Sequence, residues 1–284
     1  MRSLRALFFS ICILICPLAF CHGQLSFYGV NGEKGYAALR GTYTLDLDNG
    51  FVLTPNYGYY RRSDKEVDEA GSTSRYGLTA EYWLNDDWAV GAGGRYIPLT
   101  LGFENTSWFA QAKWLPFYRR GVFKNPVLKL TVGQSYYHIY DDIYSAPLPN
   151  RFSSTETNAS FSAASDAGAF NLQVLYHKVI KYSSRPEKNV SSNWADIPFM
   201  TAVVQGFVKE AVAARAAYRT EYLTPYVSWA RYRYASAPDV ASAVSAGVNL
   251  HLGEVSISGG VEVFEPRREA NRKTYFSMSA DMEF

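Results

Sequence analysis

The chain has 284 residues, of which 48% are hydrophobic and 16% aromatic, with 22 tyrosines, 28 basic and 26 acidic residues. The near-balanced charge argues against a nucleic-acid partner. A mean hydropathy of −0.17, with no uncharged apolar window of about 18 residues beyond the N-terminus, excludes helical membrane spans. The aromatic content exceeds what a soluble core of this size needs. Tyr and Trp gather where one end of a side chain lies in oil and the other in water, and a chain without helical spans crosses a bilayer only as a closed barrel, which satisfies every backbone amide in lipid.

At the N-terminus, Arg2 and Arg5 precede an uncharged apolar run from Ala6 to Phe20, followed by Cys21, His22 and Gly23. This three-part layout reads as a secretory signal peptide covering residues 1–23, too short for a comfortable spanning helix. Cleavage after Gly23 leaves a mature chain of residues 24–284, and cleavage after Cys21 is a second position that fits. Lipidation of Cys21 is disfavoured by Phe20, a bulky residue where that modification wants a small one. Cys12, Cys16 and Cys21 all leave with the leader, so no disulfide framework or Cys-based metal site remains. Arg2 and Arg5 leave as well, which takes the 28 basic residues to 26 against 26 acidic ones.

The mature chain then alternates with a period of two, the signature of strands with one apolar and one polar face. Gln24 to Val30 is a candidate first strand. In the next, Ala37, Leu39, Gly41, Tyr43, Leu45 and Leu47 share one face, with Ala38, Arg40, Thr42, Thr44 and Asp46 opposite. Asp48, Asn49 and Gly50 supply a tight turn, since Asn and Gly accept positive φ at low cost. Phe51, Leu53, Pro55, Tyr57 and Tyr59 continue the apolar face, and a long charged connection, residues 63–74, follows. The clearest hairpin places Tyr76, Leu78, Ala80, Tyr82 and Leu84, then Trp88, Val90, Ala92, Gly94 and Tyr96, on one side. Stripes that begin and end in Trp or Tyr are what two interfacial girdles require.

Trp108, Ala110, Ala112 and Trp114 form the next stripe, and Leu128, Leu130 and Val132 return against Lys129, Thr131, Gly133 and Ser135. A soluble core would have to bury Lys129, whereas a water-filled lumen accommodates it. After a proline-containing loop over 141–154, Ala159, Phe161 and Ala163 and then Phe170, Leu172, Val174 and Tyr176 repeat the pattern. A polar loop runs from Ser183 to about Asp196. The segment from Phe199 to Tyr222 is ambiguous: a strand to about Val208 fits, but the alanine-rich run after it has helix-forming composition and reads equally as a short helix, an inserted plug or two poor strands. Residues 222–234, 240–252 and 255–264 recover the alternation, with Val255, Ile257, Gly259, Val261 and Val263 sharing the apolar face.

The last segment, Lys273 to Phe284, places Phe276, Met278, Ala280, Met282 and Phe284 on one face and Tyr275, Ser277, Ser279, Asp281 and Glu283 on the other. An alternating strand closed by a terminal aromatic resembles the final strand of bacterial outer-membrane β-barrels, porin-like proteins included. The resemblance implies an all-β fold, a closed antiparallel transmembrane barrel in a Gram-negative outer membrane. It also implies contact with outer-membrane lipid and lipopolysaccharide, and an assembly machinery that reads Phe276, Met278, Met282 and Phe284. The segments count to about fourteen strands, or twelve if the first and the ambiguous one contribute none. Both numbers are even, as a closed sheet with its termini on one side demands.

On this parity the lumen carries Arg40, Arg75, Arg95, Lys113 and Lys129 against Asp46, Glu81, Glu262, Asp281 and Glu283, a balance that does not fix ion selectivity. Catalytic patterns are sparse. The His-x-Ser of barrel phospholipases is absent, and the Asp-x-Asp of omptin-like proteases occurs only at Asp46 and Asp48, beside a turn of the wrong end. His138 with Asp141 and Asp142 is the sharpest candidate for a general base, and a rim histidine beside a solvated loop is its plain reading. No Walker loop, dinucleotide fingerprint or HExxH is present, and no cofactor is implied. The small and polar inward residues point to a passive, porin-like channel for small solutes; the alternatives are a structural or adhesive barrel working through its loops and a hydrolase at the rim.

Overall fold

The computed structural model describes residues 23–47, 49–62, 71–100, 102–116, 123–139, 152–186, 194–195, 204–205, 207–235, 240–265 and 272–284. Fourteen antiparallel strands close into one barrel. In chain order they are β1 (Gly23–Gly32), β2 (Ala37–Asp46), β3 (Phe51–Arg62), β4 (Gly71–Trp83), β5 (Trp88–Thr100), β6 (Phe103–Trp114), β7 (Phe123–Ile139), β8 (Phe152–Ala167) and β9 (Phe170–Tyr182). A two-stranded pair follows, β10 (Trp194–Ala195) with β11 (Val204–Gln205), which forms a separate sheet and takes no part in the ring. The ring resumes with β12 (Val208–Tyr218), β13 (Leu223–Tyr234), β14 (Val240–Leu252), β15 (Val255–Glu265) and β16 (Lys273–Glu283).

Each barrel strand pairs with its sequence neighbour, β9 meets β12, and β1 closes on β16 in a register running from Gln24↔Glu283 to Gly32↔Tyr275. Closure leaves no strand edge in the ring, which removes the unpaired amides that lipid would penalise. The termini are joined too: the Gly23 amide donates to the Phe284 carbonyl at 2.8 Å, and the Phe284 amide donates back at 3.0 Å. Gly23 is therefore a paired residue of the ring.

Short turns lie at the end that carries the termini. Gly50, Gly168 and Gly253 adopt φ of 81°, 62° and 69° there, and the Asn85 side chain accepts from the Asp87 and Trp88 amides at 2.9 Å. Longer connections, such as those from Ile139 to Phe152 and from Tyr182 to Val208, lie at the opposite end.

The segregation of the two faces follows the expected parity. Leu78, Leu130, Val132, Val174, Val227, Val244, Phe276 and Met278 are exposed on the outside, far more apolar surface than water tolerates on a soluble protein. Aromatic residues edge this belt. Toward the termini, Phe51 packs on Tyr82 (4.6 Å between centroids), Trp88 stacks on Trp114 (5.5 Å) and Phe170 meets Tyr218 (5.1 Å). Toward the other end, register aligns Tyr57, Tyr76 and Tyr96 across β3–β5, and Thr106 of β6 joins them to Tyr136 of β7.

The ambiguous segment is resolved as β12, a complete barrel strand. Pairing begins at Val208 and continues through the alanine-rich run, while most of the stretch 199–207 before it lies outside the described residues. Val212 and Tyr218 face outward, while Ala211, Ala213 and Ala217 are buried inward. Helix propensity is a weak preference, and two flanking strands already in place, β9 and β13, offer hydrogen-bond partners along this segment. Both the first segment and this one contribute a strand, hence fourteen.

Candidate functional site in the lumen

Inward-facing residues divide the lumen into a main packed part, a smaller cluster of Ile97, Phe103, Tyr137, Phe207 and Ala235, and two water-accessible parts. The packed part joins Val30, Tyr36, Ala38, Tyr60, Tyr232, Ala241, Ala243, Phe264 and Tyr275 with alanines of β12 and β13. Tyr60 and Tyr232 are 0% and 2% exposed, which burial against the opposite wall explains and a wide bore would not. Tyr232 and Phe264 stack at 6.1 Å, and Phe264 leans on Tyr275 at 6.2 Å. Glycines make room for such rings: a Cβ at Gly58 would meet the Tyr60 phenol at 2.6 Å.

The first water-accessible part is a cavity of about 710 Å³ toward the terminal end, lined by Arg40, Thr42, Arg215, Tyr226, Asp281 and Glu283 among others. It shares Arg215, Asn249 and His251 with an adjoining cavity of about 400 Å³. Arg40 lies over the Tyr28 ring at 4.2 Å and Arg215 over the Tyr226 ring at 4.0 Å. An aromatic face holds a guanidinium in place without neutralising it. His251 is fixed between the Thr224 hydroxyl and the Ser256 hydroxyl, each at 3.0 Å.

The second is a chamber of about 510 Å³ bounded chiefly by β4–β9, whose lining includes Arg75, Glu81, Arg95, Lys129, Glu156 and His177. Arg95 lies over Phe109 at 5.4 Å and Arg75 over Tyr60 at 5.5 Å. Lys113 forms an ion pair with Glu81. Lys129 is the direct cross-strand partner of Lys113, so two ammonium groups share one wall of the barrel. Glu156 is 5% exposed and accepts from the Tyr137 hydroxyl at 2.6 Å and the Asn158 amide at 2.7 Å. The Ser160 hydroxyl and His177 Nδ1 lie 2.8 Å apart.

Of the ten expected lumen charges, Asp46 is exposed at the end of β2 and Glu283 lines the terminal cavity; the other eight fall in three settings. Arg75, Glu81, Arg95 and Lys129 line the chamber, and Lys113 joins them through Glu81. Arg40 and Asp281 lie in the terminal cavity. Glu262 is 1% exposed, opposite Tyr275 and Ser245, and so belongs to the packed part. Sequence reading missed Arg215 and Glu156. Arg215 continues the inward parity of Ala211 and Ala213, but lay in the ambiguous segment; Glu156 follows the proline-containing loop at a position left unassigned.

The structure shows which way the rim histidine faces. His138 shares the parity of exposed Tyr136, whose ring it meets edge-on at 6.3 Å, and its Nδ1 lies 3.4 Å from the Ser153 hydroxyl. It therefore faces the outside of the wall and not the lumen. Asp141 and Asp142 lie outside the described residues. Among the described residues no cluster of His, Cys, Asp and Glu could hold a metal ion.

No family model matches the sequence, and no curated protein sequence does. Solved structures similar to it include the toluene transporter TodX of Pseudomonas putida, at 9% identity over 93% of this chain and 88% of that one, TM-score 0.47. OprD from Pseudomonas aeruginosa matches at 9% identity over 93% of both chains, TM-score 0.47. OmpT, an outer membrane protein of Vibrio cholerae, matches at 9% over 93% and 96%, TM-score 0.43. The fourteen-stranded closure rests on this chain's own strand pairing.

Proposed function

We propose that this barrel resides in a bacterial outer membrane and acts as a passive channel of narrow bore for small polar solutes. The observation that carries the reading is the polar, charge-lined space inside a ring whose outside is apolar: the terminal cavity and the chamber lie within one wall of fourteen strands. An exterior belt edged by aromatics matches a bilayer of about 25 Å apolar height, and strands of 10 to 17 residues exceed the roughly 9–11 needed to cross it. The test is planar-bilayer recording of the purified full-length mature protein. Discrete conductance steps are expected, and their absence at all voltages defeats the channel reading.

A second reading, a structural or adhesive barrel, draws on the buried Tyr60, Tyr232, Phe264 and Tyr275. These side chains occupy lumen that an open pore would leave to water. That reading expects no conductance steps from a fully folded barrel. Catalysis has less support: His177 and His251 are held by serine and threonine hydroxyls, an arrangement that neighbouring strands produce without any catalytic role.

A further inference from the structure

At the end away from the termini, the outside of the barrel is not alike all round. Across β3–β5 and at β7 its outward positions are Tyr57, Tyr76, Tyr96 and Tyr136, and two of these phenols are engaged within the wall, Tyr57 with Ser74 at 3.1 Å and Tyr96 with Glu104 at 3.1 Å. On β9, β12 and β13 the belt ends in cations instead. Arg231 and Arg233 alternate with buried Ala230 and Tyr232 and are exposed on the outside. Lys178 and Lys181 are exposed on β9 opposite Ala159 and Thr157, which share the parity of exposed Phe161, and Lys209 is exposed at the β-bulge between Val208 and Glu210. None of these five side chains forms an ion pair or a hydrogen bond with a described residue. The carboxylate among them is Glu210, which stands between Lys178 and Arg233 in register and accepts from the Tyr176 phenol at 2.9 Å. Among the described residues the next outward carboxylate on this side, Glu265, lies two strands beyond β13.

Depth makes this patch more than a solvated face. Arg231 and Arg233 follow exposed Trp229 by two and four residues on one face of β13, which on a tilted strand sets them about 5 and 10 Å farther from the membrane centre. The headgroup layer beyond the hydrocarbon is about 5–8 Å thick on each side, so the arginines stand at its level. Below them Val174, Val212 and Val227 are exposed, a surface that suits acyl chains. The cations of β9 and β13 are two strand spacings apart, roughly 10 Å, wider than one phosphate group bridges. We propose that the outside of β9, β12 and β13 binds an acylated lipid whose headgroup carries two phosphate groups, with Arg231 and Arg233 holding one phosphate, Lys178 and Lys181 the other, and the acyl chains lying against the apolar belt below. Guanidinium forks grip phosphate through paired, charge-assisted hydrogen bonds, whereas lysine acts as a point charge. The proposal rests on the membrane reading and not on conductance.

The test is native mass spectrometry of the folded mature barrel in detergent, titrated with bisphosphorylated lipid A, monophosphorylated lipid A, phosphatidylcholine and inorganic phosphate, paired with refolding of the same protein into phosphatidylcholine vesicles. Saturable binding of bisphosphorylated lipid A is expected, with the monophosphorylated form about tenfold weaker and neither of the other two bound. Arg231→Gln combined with Arg233→Gln should weaken it about thirtyfold, the joint worth of two cations at an anionic lipid surface. Arg231→Lys with Arg233→Lys should lose less, and Lys124→Gln, exposed at the terminal end of β7, should leave binding unchanged. If the arginine pair does not fold, Lys178→Gln with Lys181→Gln carries the same comparison. Equal binding of the two forms of lipid A, equal binding of phosphatidylcholine or inorganic phosphate, or unaltered affinity in the neutralised variants overturns the site. Insertion into vesicles without lipid A binding overturns the site and leaves the membrane reading standing. A folded barrel that stays outside the vesicles defeats the membrane reading, and the site with it.

Discussion

The lumen has two unlike walls. From β4 to β9 the inward positions carry Arg75, Glu81, Arg95, Lys113, Lys129 and His177 around a polar chamber. From β12 to β16, with β1 to β3, the inward positions away from the termini carry alanines and large aromatics that meet across the bore, while those toward the termini line the terminal cavity. Alanine on one strand makes room for a ring from another: Ala211 is the cross-strand partner of Tyr232, and Ala243 of Phe264. The difference shows that inward parity alone does not make a position wet. Volume contributes to it, because the small inward residues Ala211 and Ala243 leave space that Tyr232 and Phe264 fill, whereas the long charged side chains of β4 to β7 surround a space open to water.

The sharpest way to break this contrast is to empty the packed wall. Tyr232→Ala should destabilise the barrel by about 3 kcal/mol, in the range for truncating a buried aromatic, and should enlarge single-channel conductance several-fold if the aromatic cluster sets the bore. Heat-modified mobility of the folded barrel reads the first effect, and bilayer recording the second. An unchanged conductance in the folded variant would place the constriction elsewhere.

A comparable effect is expected where the wall turns from lumen to lipid. Leu130 is exposed on the outside, and Thr131 beside it lines the chamber. Leu130→Lys should cost about 2–4 kcal/mol near the bilayer midplane, while Thr131→Lys, pointing into the lumen, should cost much less. Equilibrium urea unfolding in lipid vesicles measures both. Equal costs would mean that the two faces do not meet different solvents.

The pattern that these substitutions probe was legible in the sequence wherever the two faces differ in kind. Along β5, Trp88, Val90 and Ala92 alternate with Gly91, Gly93 and Arg95, so period two is unmistakable. Along β12 it is hidden, because inward Ala211 and Ala213 are as apolar as outward Val212 and Ala214; the wall they face is aromatic, not aqueous. Lumen charges could be assigned by counting, since one Lys129 or Arg95 fixes the parity of its strand. The packed cluster could not, because it joins Tyr60, Tyr232 and Tyr275, far apart in the chain and brought together only by closure of the ring. The outward direction of His138 did follow from parity, through Tyr136 and Val132, but its sequence neighbours Asp141 and Asp142 drew attention to the rim.

A smaller effect sharpens the chamber side. Glu81→Gln removes the carboxylate bound to Lys113. Removing one partner of a fully buried pair costs about 3–5 kcal/mol, but the side chains here are 26% and 13% exposed, so water takes up part of the loss and about 1–2 kcal/mol is expected. The zero-current potential in a salt gradient should shift toward anions, because the wall gains net positive charge. A shift toward cations would contradict the placement of Glu81 in the chamber lining.

The smallest effect on stability is expected at the strand that closes the two walls on each other. Phe284 is 48% exposed and stacks on Tyr43 at 5.9 Å, while its backbone bonds to Gly23 survive substitution. Phe284→Ala should therefore cost the isolated barrel only about 0.5–1.5 kcal/mol, the worth of one aromatic pair. Its yield in the outer membrane of cells should fall far more if the terminal aromatic is read during assembly, as the resemblance of the last strand implies. Comparing refolding in vitro with insertion in vivo separates a packing contribution from a recognition signal, and proportionate losses in the two would remove the signal. If the expected leader is removed, cleavage after Cys21 would retain the Gly23–Phe284 pair and cleavage after Gly23 would delete it. N-terminal sequencing of the mature protein distinguishes the two, and retention of Gly23 is the outcome that keeps both backbone bonds of the closing register.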